Sequence, residues 1–314
     1  MDSIAGLLDG PRARGAFLLR SVLAPPWSLR IEDEAPLTLV ALVRGRATIH
    51  PNNGAAFTLN TGDVAILRGP DSYTVADPPH EPPQVIILPG QRCVLPDGTD
   101  VGSMADLGVR TWGNAPDGET MMVTGTYQLE SETSRRLLAA LPPFLHVAGD
   151  SWDNPLVAFL ADEIACDQPG QEAVLDRLLD LLLIATLRAW FARPEADAPG
   201  WYRAQSDPVV GPALKLLHNA PAQPWTVATL AREVGASRAA LARRFTALVG
   251  EPPMAFLTTW RLTLAADLLR EPGATVGSVA PQVGYSSAFA LSAAFKRVRG
   301  VSPAEHRAGA AAAA

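Results

Sequence analysis

Between residues 27 and 126 the chain is a succession of short apolar runs broken by Pro, Gly and Thr. Segments 37–43, 47–50, 55–59, 63–67 and 85–88 read as strands between turns. Short strands at near-regular spacing predict a sandwich or small barrel. From residue 131 the apolar spacing becomes helical. Segment 131–141 predicts a short helix stopped by Pro142-Pro143, segment 155–166 a second, and segment 171–191 a long third. On the third, Val174, Leu175, Leu178, Leu179, Leu182, Leu183, Thr186, Leu187 and Trp190 lie on or near one stripe. Such a stripe fits packing on the barrel of its own chain or against a partner helix. Segment 194–207, rich in Pro, Ala and Asp, reads as a linker, and the alanine run 309–314 as a disordered tail.

The last hundred residues contain a repeat. Leu230-Ala231 and Val234-Gly235 recur as Val279-Ala280 and Val283-Gly284. Ser237, Leu241, Phe245, Gly250 and Pro253 recur as Ser287, Leu291, Phe295, Gly300 and Pro303, with one extra residue between glycine and serine in the second copy. In each copy a threonine, Thr226 or Thr275, is placed to cap a short helix. Gly235 or Gly284 supplies the left-handed residue that ends it. Ser237 or Ser287 caps a second helix, in which a leucine and a phenylalanine four residues apart face inward. Helix, glycine turn and capped helix make a helix-turn-helix, whose second helix is able to enter a DNA major groove. An ordinary helical hairpin would explain one copy; two copies with the same punctuation favour the DNA reading. Segment 253–270 predicts a continuous helix between them, with a span that suits two recognition helices one duplex turn apart.

Charge supports this division. Residues 207–314 hold 11 Lys+Arg against 6 Asp+Glu, net +5, whereas residues 1–206 hold 15 against 26, net −11. An acidic body on a basic tail expects only the tail to meet a polyanion. No apolar run approaches the roughly 18 residues of a membrane span, and Met1-Asp2-Ser3-Ile4 is not the start of a secretory signal. Two cysteines, Cys93 and Cys166, make no disulfide framework. These features together predict a cytoplasmic protein.

The stretches Trp225-Thr226-Val227, Arg243-Arg244-Phe245, Val283-Gly284-Tyr285, Phe295-Lys296-Arg297 and Gly300-Val301-Ser302-Pro303 resemble the DNA-binding domain of the AraC/XylS family of bacterial transcription regulators. The resemblance covers residues 207–307 and implies two helix-turn-helix units, joined by a linker helix, that act on promoter DNA. Carried over residue by residue, it makes Arg243 the base-reading arginine of the first recognition helix. Arg238 and Arg244 reach base edges or phosphates, because the guanidinium fork pairs with guanine. Ser237, Ser287 and Arg261 join the DNA-contacting set. The second helix departs from the pattern: Ala293 stands where Arg243 does, amid Ala288, Phe289 and Ala290, leaving Ser292 for bases and Lys296 and Arg297 for phosphates. Pro281, with Gly277 before it, falls inside the supporting helix and is expected to kink or weaken it unless packing compensates.

Residues 59–70 resemble a cupin turn and strand. In AraC-type regulators such a domain commonly senses an effector, and the helices after it often dimerise. The chain is therefore expected to be a two-domain α+β protein. Residues 1–193 form a cupin-like effector and dimerisation domain, with strands over about 27–126 and helices over about 131–193, and residues 208–308 form the DNA-binding domain. The expected partners are promoter DNA, a second copy through helix 171–191, a small-molecule effector, and RNA polymerase if the protein activates. Val40, Leu42 and Tyr73 are the candidate pocket residues.

Two rivals remain. A cupin metalloenzyme needs converging histidines. The chain has five, of which His218 and His306 lie in the DNA-binding region, and Tyr73 stands where a metal-binding cupin carries its second-motif histidine. No catalytic residue, metal or cofactor is therefore expected. A redox sensor would use Cys93, beside Arg92, rather than Cys166 among Asp162, Glu163 and Asp167.

Overall fold

The computed structural model describes residues 17–312, apart from 102–105, 128–130, 153 and 194–197. The described residues form two compact units, one of residues 17–127 and 141–193, the other of residues 131–140 and 198–312.

The first unit is a sandwich of thirteen strands: β1 (Phe17–Leu23), β2 (Trp27–Ile31), β3 (Leu37–Arg44), β4 (Arg46–Pro51), β5 (Phe57–Asn60), β6 (Val64–Arg68), β7 (Tyr73–Asp77), β8 (Val85–Leu88), β9 (Arg92–Val94), β10 (Asp106–Gly108), β11 (Thr111–Gly113), β12 (Thr120–Tyr127) and β13 (Phe144–Val147). One sheet has the order β10-β11-β1-β12-β3-β6-β13 and the other β5-β4-β7-β2-β8-β9. All five strands expected from the sequence are present. Between the sheets lie Trp27, Leu29, Val40, Leu42, Ile49, Leu59, Val75 and Met122.

The strand β3 is buried along nearly its whole length, because both of its faces are covered. Val40 and Leu42 face the interior, while Leu37, Leu39 and Ala41 are buried outside that inner cluster. Three helices belong to the chain at this stage: α1 (Glu132–Ala139), α2 (Leu156–Glu163) and α3 (Gln171–Phe191). The stripe on α3 packs against its own sandwich. Leu175, Leu178, Leu179, Leu182, Leu183, Thr186 and Leu187 are buried. Gly125 on β12 allows the close approach: a Cβ there would lie 2.7 Å from the Leu179 side chain. The buried Tyr127 hydroxyl donates to the Leu179 carbonyl at 2.9 Å. Trp190 and Val174, assigned to the stripe from spacing, are only partly buried and exposed respectively.

Three boundaries differ from expectation. Segment 131–141 was expected with the barrel, but α1 packs in the second unit. Its first turn is capped from outside: the Asp267 carboxylate accepts from the amides of Glu132 (2.5 Å) and Thr133 (3.1 Å) and from the Thr133 hydroxyl (2.8 Å). The end of the expected linker is folded. A short helix, α4 (Gly200–Arg203), and the following turn bury Ala204, and Ala198 is buried as well. The alanine tail continues a helix through Ala312 rather than ending at 308.

The second unit continues with α5 (Val210–Asn219), α6 (Val227–Glu233), α7 (Arg238–Val249), α8 (Pro253–Leu268), α9 (Val276–Gln282), α10 (Ala288–Arg299) and α11 (Pro303–Ala312). Two apolar cores correspond to the two sequence repeats. One holds Leu230, Leu241, Phe245, Phe256 and Leu257, and the other Leu262, Val279, Leu291 and Phe295. The helix α8 contributes to both. Pro281 does not break α9. It falls in the last turn, after a capping box in which Thr275 and Ser278 satisfy each other's amides. Val279 and Ala280 are buried, so packing supplies what the missing hydrogen bond does not.

Candidate nucleic-acid interface and ligand cavity

The two recognition helices begin identically. The Ser237 hydroxyl accepts from the Ala240 amide at 3.2 Å, and the Ser287 hydroxyl from the Ala290 amide at 3.1 Å. Gly235 and Gly284, at φ +66° and +81°, turn the chain into them. Gly250 and Gly300 close them in the left-handed conformation.

On α7, Leu241 and Phe245 are buried, so the opposite face stands in solvent. That face carries Ala239 and Arg243, while Arg238 is exposed as the first residue of the helix; neither arginine has a hydrogen-bond or ion-pair partner among the described residues. Arg244 points elsewhere. Its Nε donates to Asp207 Oδ2 at 2.7 Å, and the other Asp207 oxygen accepts from the amides of Val209 and Val210 at the start of α5. Burial pushes the Asp207 carboxyl up, but those two amides and Arg244 outweigh it and hold the group below the usual carboxylate range. Arg244 thus serves as a bracket within the domain, to Asp207, rather than standing free as Arg243 does.

Arg261 is engaged within the domain as well. Its Nε donates to the Pro221 carbonyl at 2.7 Å and its Nη2 to the Gln223 carbonyl at 2.6 Å. The guanidinium lies 6.0 Å from the Tyr285 ring centroid. It therefore ties α8 to the loop before α6 and to the turn of the second helix-turn-helix. Sequence spacing places it on α8 but contains no sign of these partners.

On α10, Phe289 is 84% exposed beside exposed Ala288 and Ala293, with Ser292 half-buried. Lys296 and Arg297 are exposed in its last turns. Arg299 is engaged: its Nη1 lies 3.0 Å from Glu132 Oε2, on the end of α1.

The sandwich holds a small inner chamber of about 40 Å³. An open cleft of about 740 Å³ adjoins it, formed by β9, β10, β11 and the edge of β1. Phe17, Leu19, Ile87, Gln91 and Trp112 line both. Of the three candidate pocket residues, Val40 and Tyr73 line the chamber; Leu42 does not, lying fully buried in the core beyond it. Burial, and secondarily Asp33, push the Tyr73 phenol well above its usual value, so it is a neutral hydroxyl at any working pH.

Cys93 lines the outer cleft, but burial first and Asp100 second raise its thiol above the ordinary value. Arg92 does not offset them. That direction is opposite to the acidic thiol that a redox-sensing cysteine needs. Among the described residues no three His, Cys, Asp or Glu side chains converge on a metal position. His146 instead hydrogen-bonds Asp63 at 2.9 Å, and Asp63 also accepts from the amides of Asn60 and Gly149. The cupin-like turn is thereby pinned to the residues after β13.

The cupin family's sequence profile matches residues 2–192, and a helix-turn-helix domain profile matches residues 230–309. An AraC-like transcription regulator of Streptomyces lividans is 32% identical over 312 residues, 98% of each chain. The transcriptional regulator AlkR of Acinetobacter baylyi is 27% identical over 317 residues, 98% of this chain and 99% of its own. Among solved structures, the DNA-binding domain of the global transcriptional factor AdpA, in complex with a target DNA, is 36% identical. It covers 33% of this chain and 93% of that chain, with a TM-score of 0.31.

Proposed function

Because the chain belongs to the AraC-type transcription regulators, with a cupin domain ahead of its DNA-binding helix-turn-helix domain, we propose that it reads promoter DNA chiefly through Arg238 and Arg243. Lys296 and Arg297 on α10 hold phosphates. The observation that carries this reading is that both arginines are exposed and unpartnered, Arg243 opposite the buried face of α7 and Arg238 at its first residue. A guanidinium free of intramolecular bonds gives up no partner when it pairs with guanine O6 and N7. Phosphate contacts place the domain on the duplex without reading sequence. The net charge of +5 over residues 207–314 supplies the attraction.

The sandwich takes a small-molecule effector in its chamber and cleft. A ligand that binds one arrangement of the protein more tightly shifts how the DNA-binding domains engage the promoter. The protein works in the cytoplasm as a homodimer. The exposed apolar side chains Phe159, Val174 and Leu181 on α2 and α3 are the surface for the second copy. RNA polymerase is a further partner if the protein activates.

The test is selection of the preferred site from random duplexes by the full chain, followed by binding of Arg243→Ala to that site and to its single-base variants. Loss of preference at one base pair supports the reading. Equal loss on every sequence, random duplex included, removes Arg243 from the reading role.

A further inference from the structure

The chemistry of the chamber and cleft restricts the effector. This step rests on the reading of the sandwich as the effector site. The walls shared by the two spaces are apolar: Phe17, Leu19, Ile87 and the Trp112 ring. Two residues with polar side chains interrupt the apolar lining of the chamber. Trp112 Nε1 and Thr126 Oγ1 have no hydrogen-bond partner among the described residues, and both side chains line the chamber. Trp112 is 9% exposed and Thr126 2%. A buried donor without an acceptor is costly, so the site gains when a ligand supplies an acceptor. The indole N–H is a donor only.

Charge narrows the class further. Among the described residues, the one ionisable group lining the chamber besides Tyr73 is Asp33, and no Lys, Arg or His does so. In the cleft, Asp106 and Arg110 oppose each other in sign, and Arg110 Nη1 is already bonded to Gln171 Oε1. A carboxylate ligand would meet Asp33 without a free cation inside, and an unpaired buried anion is strongly disfavoured. Asp33 already accepts from the Ala35 amide at 3.1 Å. The chamber is too small for a ring system, whereas the cleft is of ligand size.

We propose that the effector is an uncharged, mainly apolar molecule of one or two rings, lodged in the cleft against Phe17, Leu19, Ile87 and Trp112, with one hydrogen-bond acceptor that takes the Trp112 indole N–H and the Thr126 hydroxyl. Anionic ligands of the same shape are rejected.

The experiment is calorimetric titration of the full chain with four probes of one shape: naphthalene, 2-acetylnaphthalene, 2-naphthoate and 2-(aminomethyl)naphthalene. The ketone is expected to bind tightest, naphthalene about fivefold more weakly for want of an acceptor, and the naphthoate at least about tenfold more weakly than the ketone. Trp112→Phe should weaken the ketone to the level of naphthalene and leave naphthalene unchanged. Thr126→Val, which keeps the shape, is the second variant should Trp112→Phe fail to fold, and should weaken the ketone alone. Leu19→Trp narrows the passage between cleft and chamber and should weaken all four. If no probe binds the wild type, or if Leu19→Trp leaves all of them unchanged, the site itself is wrong. If the probes bind and respond to Leu19→Trp, but the naphthoate or the amine equals the ketone, or neither Trp112→Phe nor Thr126→Val separates ketone from naphthalene, the site stands and the proposed ligand class is overturned.

Discussion

Arg244 Nε donates to Asp207 Oδ2 at 2.7 Å, whereas Arg243, one position earlier on the same helix, has no partner among the described residues. One step along an α-helix turns a side chain by about 100°, enough to divide neighbouring arginines between solvent and their own domain. Arg243→Ala should cost ~1–3 kcal/mol of binding to the preferred site and relax one base pair. Arg244→Ala should leave the sequence preference intact and lower the melting temperature instead, by roughly 2–6 °C for loss of ~1 kcal/mol from a partly exposed pair. A base-specific loss for Arg244→Ala would show that the Asp207 bracket opens on DNA.

The Arg261 anchor gives a second prediction through a glycine. Gly235 and Gly284 share a left-handed backbone, but a Cβ at Gly235 meets open space. At Gly284 it would lie 2.7 Å from Arg261 Nη2 and 2.9 Å from the Ala222 backbone. Gly235→Ala should cost only the left-handed penalty of about 1–2 kcal/mol. Gly284→Ala should cost visibly more, because the Arg261 bonds to Pro221 and Gln223 are displaced as well. Denaturant titration of the two variants measures the difference; equal costs would show that Arg261 gives way freely.

How these pairs arise also explains what the sequence makes legible. The helix-turn-helix repeat is visible because its determinants are local: Thr226, Gly235 and Ser237 act within a few residues of themselves. Asp207 lies far from Arg244 along the chain, and Pro221 far from Arg261, so spacing contains no trace of either bond. The strand β13, Phe144–Val147, falls where helical periodicity begins, and it forms by pairing with Val64–Leu67 across the sequence. Val40 and Leu42 sit two apart on one face of β3, and alternation cannot tell that only Val40 borders the chamber. The docking of α1 depends on Asp267, more than a hundred residues away.

That docking has a pH dependence of known sign. Burial pushes the Glu132 carboxyl up, but the hydrogen bond and charge of Arg299, with Arg135 and His306 behind it, hold it below the ordinary glutamate value. A carboxylate lowered on folding stabilises fully above the unfolded value near about pH 4.3, and that contribution is lost as pH falls through the lower folded value. Thermal melts of Glu132→Gln should therefore lie below wild type at pH 7 and converge with it below about pH 4. A constant gap across that range would contradict an electrostatic role.

The surface of α3 separates folding from assembly. Leu182 is fully buried against the sandwich, and Leu181 beside it is 51% exposed. Leu182→Ala should cost ~2–5 kcal/mol of stability. Leu181→Glu should leave the melting temperature within a few degrees and shift sedimentation from dimer to monomer. A Leu181→Glu protein that remains dimeric would move the dimer surface off this helix.

The most direct test of the account is a complete single-base-pair substitution scan of the selected site, measured at fixed salt with the full chain. The first recognition helix offers Arg238 and Arg243, whereas the second offers Ala288, Ala293 and an 84% exposed Phe289. Such groups touch thymine methyls but make none of the bidentate hydrogen bonds that separate base pairs by ~1–3 kcal/mol. Large losses confined to one end of the site, with small losses at the other, are the predicted result. Equal losses at both ends would contradict it, and would mean that Phe289 or Ser292 reads bases as strongly as Arg243.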